Sequence, residues 1–284
     1  MLNLRDLTPH IGVEVSGVDL TRGISNAMAA ELLRALDTRG VVILRGQQLT
    51  LAHFIAFSRN LGTLELNTQQ QFSHADFPEL TTVSNIIENG EPIGVPDSGR
   101  VWQSSGAHLK TPYRATVQYA VEVPMNDGVP LGDTSFASTS AAYEALEPAL
   151  RQQIQGIQAV HIHGKNRKKR STSFWLDSGL TQGFHGGVHH PVVRAHPITG
   201  QKCLYVNRAS TSFIRGMHDQ YSAGLLDQLY QHMARAEFIY RHQWQVGDVV
   251  LWDNCSTQHC SERDYELPQR RLIYSTLLKG MAAR

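Results

Sequence analysis

The second half of this sequence is written in short apolar runs separated by turn residues, and no other feature constrains the fold as tightly. CLYVN at 203–207, EFIYRHQW at 237–244, DVVLWDN at 248–254 and RRLIYSTLL at 270–278 have strand length, with Gly, Asp and Asn between them. That rhythm is the pattern of an antiparallel barrel or sandwich. Helical spacing is confined to a few segments. Residues 25–39 place Met28, Leu32, Leu33 and Leu36 on one face ahead of the buried-strand run GVVILRG. Further helices are predicted over 51–61, over 138–157 with Ser138 or Ser140 as cap, and over 218–235, where Leu225, Leu226, Leu229 and Met233 share a face. Strands are predicted around 82–87 and 116–123. The fold class expected is mainly β with flanking helices, and no internal repeat is present.

With 284 residues the chain can bury one large core, so a single domain is expected over its whole length. A formal net charge of +1 with 18% charged residues gives no field for a polyanion, so neither nucleic acid nor membrane is expected as a partner. No run of about 18 apolar residues occurs, and MLNLRDLTPHIG lacks the basic-then-apolar pattern of a leader. A soluble, cytoplasmic protein is expected. Cys203, Cys255 and Cys260 have no CxxC spacing and read as reduced thiols. The basic run KNRKKR at 165–170, ahead of Phe174 and Trp175, reads as a solvated turn or as a lid over 164–186. Such a lid would attract an anionic substrate or the acidic surface of a carrier protein.

Several blocks in order carry a resemblance: IGVEVSGVDLTR, VVILRGQQLT, EVPMNDGVPLGDTSFAS, HHPVVRAHPITGQKCLYVNR and LWDNCSTQHCSERDYELPQRRLIYSTLLKG. Together they resemble the TauD/TfdA family of iron(II)/2-oxoglutarate-dependent oxygenases over nearly the whole chain. The resemblance implies a double-stranded β-helix (a cupin-like jelly roll) with the pocket in its mouth. It implies iron(II), or another divalent metal, and 2-oxoglutarate as cofactors, and a homo-oligomer as the usual assembly. It also assigns residues. His259 matches the distal metal ligand, Arg271 the partner of the far carboxylate of 2-oxoglutarate, and Thr134 the hydroxyl that supports it. A guanidinium fork suits a carboxylate because it bonds both oxygens and stays charged. Without the resemblance, His259 reads as a structural histidine and Arg271 as half of a surface ion pair.

The family's W-H-x-D segment stands here as Trp102-Gln103-Ser104-Ser105. Gln103 and Ser105 therefore replace a histidine and a carboxylate, and an amide and an alcohol bind divalent transition metals far more weakly. Two nearby histidines offer a substitute. His108 and His163 match aromatic pocket positions of the family, and three imidazoles with His259 could hold iron(II), copper(II) or zinc. Against that, His108 also reads as a polar pocket residue and His163 as a strand-end histidine bonded to backbone. His189, His190 and His196 read as structural.

Ser275 occupies the position where the taurine enzymes carry a sulfonate-binding Arg, which argues against taurine. Asn67 and Gln70 take the places of a substrate-binding His and Tyr and suit a neutral or amide-rich substrate. Three functions stay open: an oxidoreductase acting on a small organic substrate at a non-standard metal site; an inactive pseudoenzyme or binding subunit; and a non-redox enzyme that reuses the pocket with a histidine as proton carrier.

Overall fold

The computed structural model of the chain describes residues 2–66, 72, 74–96, 99–163 and 187–281. Asn67, Gln70, the basic run at 165–170 and the lid expected over 164–186 lie outside the described residues.

Strands of three or more residues are β1 (Asn3–Asp6), β2 (Val13–Ser16), β3 (Val41–Leu44), β4 (Thr81–Ser84), β5 (Ala115–Glu122), β6 (Thr134–Ser138), β7 (Gln158–His161) and β8 (Val188–Pro191). They continue as β9 (Val193–Ala195), β10 (Lys202–Leu204), β11 (Thr211–Ile214), β12 (Ile239–His242), β13 (Val249–Asp253), β14 (Thr257–Ser261) and β15 (Leu272–Leu278). The helices are α1 (Asn26–Arg39), α2 (Leu51–Leu61), α3 (Thr139–Glu144), α4 (Pro148–Gln153) and α5 (Asp219–Met233).

A seven-stranded sheet runs β1-β2-β3-β13-β5-β15-β4, and a three-stranded sheet runs β12-β6-β14. A second three-stranded sheet, β8-β7-β11, and the hairpin β9-β10 extend the structure. Side chains alternate across a strand, and β13 shows what each face of the large sheet buries. Val249 and Leu251 pack with Leu32 and Leu36 of α1 and Phe54 of α2. Val250 and Trp252 point the other way and meet Phe136 of β6 and Trp244. Helices therefore close the outer face while the second sheet closes the inner one, the packed antiparallel sheets that the strand rhythm predicted and the jelly roll that the resemblance implied. The third cluster buries Leu225, Leu226, Leu229 and Met233 of α5, the four residues read as one helical face.

Helix ends follow their residues. The Ser25 hydroxyl accepts from the Met28 amide at the start of α1, and Gly40 ends that helix in the left-handed region at φ 70°. The helix predicted over 138–157 is two short helices. Of the two caps read from the sequence, Ser138 and not Ser140 caps α3, but Pro148 cannot continue a helix from the preceding turn and instead opens α4.

Candidate functional site

The turn between β13 and β14 aims the site. Asp253 Oδ1 accepts from the amides of Cys255 at 2.7 Å and Ser256 at 2.8 Å, which fixes the bend and starts β14 in register with β6. His259 then stands opposite Phe136. Its main chain also exchanges two hydrogen bonds with Gln103, at 2.9 and 3.0 Å, so these residues form one antiparallel bridge.

The side chains of that pair meet as well. Gln103 Nε2 lies 3.2 Å from His259 Nε2, an amide N–H donating to the ring nitrogen. The imidazole is buried against Trp252 and Phe136, with ring centroids at 4.8 and 6.4 Å. Its Nδ1 is buried without a hydrogen-bond partner among the described residues. Burial pushes the His259 pKa down to about 4, so the ring is neutral near pH 7. Ser105 is engaged elsewhere: its hydroxyl accepts from Thr116 Oγ1 at 3.5 Å and its amide donates to Asn254 Oδ1 at 3.4 Å. Ser104, between the two substituted positions, donates to the Thr257 carbonyl at 3.2 Å.

A row of groups runs from this pair to Arg271. Gly99 has φ 88°, and a Cβ there would lie 3.2 Å from Ser261 Oγ, 3.4 Å from Gln103 Nε2 and 3.6 Å from His259 Nε2. Ser261 Oγ lies 3.2 Å from Thr134 Oγ1, which accepts from Trp244 Nε1 at 3.0 Å. Two residues before Thr134, Gly132 has φ 76°, and a Cβ there would come within 2.9 Å of the Tyr265 ring and 3.7 Å of Arg271 Cζ.

Arg271 is buried, its Nη1 donates to the Tyr265 hydroxyl at 2.9 Å, and its guanidinium lies 5.4 Å from that ring centroid. Among the described residues no carboxylate pairs with it, whereas ten other arginines have Asp or Glu partners. A buried guanidinium without a counter-charge is costly, and a ligand carboxylate meets that need. Arg271 is therefore not half of a surface ion pair. Ser275 is buried further along β15 and pairs in register with Gln118 and Thr81.

His108 and His163 come together, with ring centroids 4.4 Å apart at 53°. Burial, and then the neighbouring His163, lower the pKa of His108. These two rings do not join His259 in a cluster. Among the described residues, the group of three His, Cys, Asp or Glu side chains with ligand atoms within 4.8 Å of one another is Asp37, His196 and Asp253. The three-imidazole centre expected from the sequence is thus not assembled. The Asp37 group is internally satisfied instead. Arg114 donates to Asp37 at 2.6 Å, His196 Nε2 donates to Asp253 at 3.2 Å, and His196 Nδ1 accepts from the amides of Ile198 and Thr199. His190, also read as structural, is buried with Nε2 donating to the Leu109 carbonyl at 2.9 Å.

Sequence reasoning did not single out Tyr265, Gly132, Ser261 or Gly99. Their roles arise from approach across the barrel mouth, which periodicity does not encode.

The sequence pattern of the family described as "Taurine catabolism dioxygenase TauD, TfdA family" matches residues 3–277. The chain belongs to the TauD/TfdA family. An alpha-ketoglutarate-dependent 2,4-dichlorophenoxyacetate dioxygenase of Cupriavidus pinatubonensis is 30% identical over 276 residues, covering 93% of each chain. Pentalenolactone F synthase of Streptomyces arenae is 29% identical, covering 93% of this chain and 90% of its own. Among solved structures, a taurine dioxygenase of Burkholderia xenovorans superposes with a TM-score of 0.81 at 31% identity, covering 99% of this chain and 90% of its own. AAD-2, solved with Mn(II) and N-oxalylglycine, superposes with a TM-score of 0.80 at 26% identity, covering 100% and 99%.

TauD/TfdA enzymes are oxidoreductases, dioxygenases that use iron(II) and 2-oxoglutarate. The two cofactors fare differently against the residues of this chain. A dicarboxylate fits: Arg271 supplies a buried cation with no carboxylate partner among the described residues, and Thr134 supplies a hydroxyl two residues from Gly132, which lies beside that guanidinium. Iron(II) at the family's position does not fit, because one imidazole, one amide and one alcohol stand where two imidazoles and a carboxylate are needed.

Proposed function

We propose that this chain is a divergent TauD/TfdA oxidoreductase that binds 2-oxoglutarate through Arg271 and Thr134 and acts on a small organic substrate in the same barrel mouth. The observation that carries the reading is the buried Arg271 guanidinium with Tyr265 beside it and no carboxylate partner among the described residues. In the family's reaction, dioxygen is the four-electron oxidant: two electrons come from the organic substrate and two from 2-oxoglutarate, which leaves as succinate and carbon dioxide. This chain's residues bind and orient the 2-oxo acid, and the neutral His259 ring and the indole of Trp252 wall the mouth beside it. No step is assigned to a metal, since Gln103 and Ser105 do not make an iron site. Ser275 and the His108–His163 pair are the candidate substrate contacts among the described residues, joined by Asn67 and Gln70 from the sequence.

The test is succinate formation from 2-oxoglutarate under air, with neutral and amide-bearing organic molecules as substrates. Arg271→Gln should weaken 2-oxoglutarate binding by about 10- to 100-fold, the worth of a charge-assisted contact. Equal binding by both proteins would overturn the assignment.

A second reading, a 2-oxoglutarate-binding subunit without turnover, is favoured by the contact that occupies His259 Nε2. Binding with no succinate from any substrate would select it.

A further inference from the structure

We infer that Gln103 takes the metal's place as the partner of His259, and that 2-oxoglutarate binds in this mouth without a metal ion. The inference rests on the carboxylate-binding part of the reading above and goes beyond it in saying what the Gln103 and Ser105 positions now do; of the two readings it selects binding without turnover, because dioxygen does not attack a 2-oxo acid without a redox centre.

Three observations carry it. First, the ring of His259, the residue matched to the family's distal ligand, already accepts a hydrogen bond at Nε2 from Gln103 at 3.2 Å, and its other nitrogen is buried. The same spacing would suit two donors on one ion, but an amide nitrogen is not a ligand. Ligation would need the amide to turn its oxygen inward, and the set would still have no anionic donor. Second, the carboxylate position is vacated in geometry as well as in chemistry, because the Ser105 hydroxyl faces Thr116. Third, the Gly99 main chain lies over the pair, and the Gly99 carbonyl accepts from the Ser261 amide at 2.7 Å. That bond ties the segment to the strand which also carries His259.

The consequence for binding follows from where the charges sit. In the family, a 2-oxo acid is held at one end by the metal and at the other by the arginine. Here the arginine end is intact: Arg271 and Thr134 are set by contacts to Tyr265, Trp244 and Ser261 that involve no metal ligand. At the other end, Gln103 offers amide hydrogens to a 2-oxo carboxylate, which is a weaker but metal-free contact.

The experiment is calorimetric titration of the full chain with 2-oxoglutarate, once with chelator and once with excess Mn(II) under nitrogen, alongside titration with Mn(II) alone. The expected result is saturable 2-oxoglutarate binding in both buffers with Kd values within about threefold, and no stoichiometric heat from Mn(II). A gain of tenfold or more on adding Mn(II) overturns the inference while leaving the carboxylate site standing. Absence of binding in both buffers overturns the site itself, and the inference with it. Gln103→His with Ser105→Asp supplies the converse. The double variant should take up one equivalent of Mn(II), and its 2-oxoglutarate affinity should become metal-dependent. If it takes up none although its circular dichroism is native, the assignment of these two positions as the former ligand sites is wrong. If it does not fold, the wild-type titrations still decide.

Discussion

A neutral imidazole held out of water makes His259 a stability element as well as a wall of the pocket. In the unfolded chain an imidazole titrates near 6.5, while burial holds this one down to about 4. Below pH 6.5 the unfolded state therefore takes up a proton that the folded site refuses. Stability is fully present above that value and falls as the pH drops towards 4. Between pH 7 and pH 5 this residue accounts for a loss of about 2 kcal/mol. His108, His190 and His242 are lowered by burial in the same direction. Urea unfolding at the two pH values should show the loss, and His259→Asn should shrink it. An unchanged pH dependence in the variant would mean that the ring is hydrated. At this scale the sequence was legible where a residue type has one chemical use. Arg271, Thr134 and His259 were assigned from the resemblance; Ser261, on the strand of His259, lies against Thr134, and Gly132, two residues before Thr134, lies beside Arg271. The His108 and His163 assignment did not extend to His259, because a spacing along the chain says nothing about whether two loops approach a third strand.

The elements owe their positions to a few close approaches. Gly40 ends α1 with φ 70°, and a Cβ there would come within 2.7 Å of Thr257 Oγ1, on the strand that carries His259. Thr257 Oγ1 also donates to the Gly40 carbonyl at 3.3 Å, and the Asp253 amide donates to the same oxygen at 2.9 Å. Gly40→Ala thus combines left-handed strain of about 1 kcal/mol with a contact that β14 must yield to. We expect about 2 kcal/mol of lost stability by chemical denaturation, together with weaker 2-oxoglutarate binding, because β14 also carries Ser261 beside Thr134. A loss of stability with unchanged binding would show that the strain stays within the helix end. Apolar periodicity made α1, α2 and α5 readable to within a residue or two. It failed over 138–157, where the apolar spacing continues but Pro148 removes a donor and blocks the turn before it.

Across the whole molecule, two buried polar systems stand at opposite ends of β13 and β14. The mouth holds a buried cation at Arg271 with no carboxylate partner among the described residues, whereas in the other system Asp37 is paired with Arg114 and Asp253 accepts from His196. Removing one partner of such a buried pair leaves the other uncompensated, a cost of about 3–5 kcal/mol. Asp253→Ala should therefore destabilise the chain strongly, since it also removes the acceptor for the Cys255 and Ser256 amides. Arg271→Gln should not, because it removes an unpaired charge. If denaturant midpoints of the two variants fall equally, Arg271 has a counter-charge that the fold supplies. Ligand should reverse the comparison. At 100 times its Kd, 2-oxoglutarate adds about 2.7 kcal/mol to the folded state, a rise in Tm on the order of 5 °C. That rise should be the same with chelator and with Mn(II), and should fall to about half or less in Arg271→Gln at the same ligand concentration. The overall architecture was readable in the sequence because strand length and turn residues are local. The balance of charge between the two ends was not, since it depends on which side chains meet across sheets.

The double bridge between Gln103 and His259 is made entirely by main-chain atoms. Nothing in it depends on the identity of the side chain at 103, so whatever residue stands there is delivered to the same imidazole at close range. The backbone acts as a socket into which different chemistries can be plugged without redrawing the frame. A thiol, an imidazole or a carboxylate introduced at that single position would begin its life already facing a buried, neutral nitrogen, which makes this chain a ready host for built-in reactive pairs.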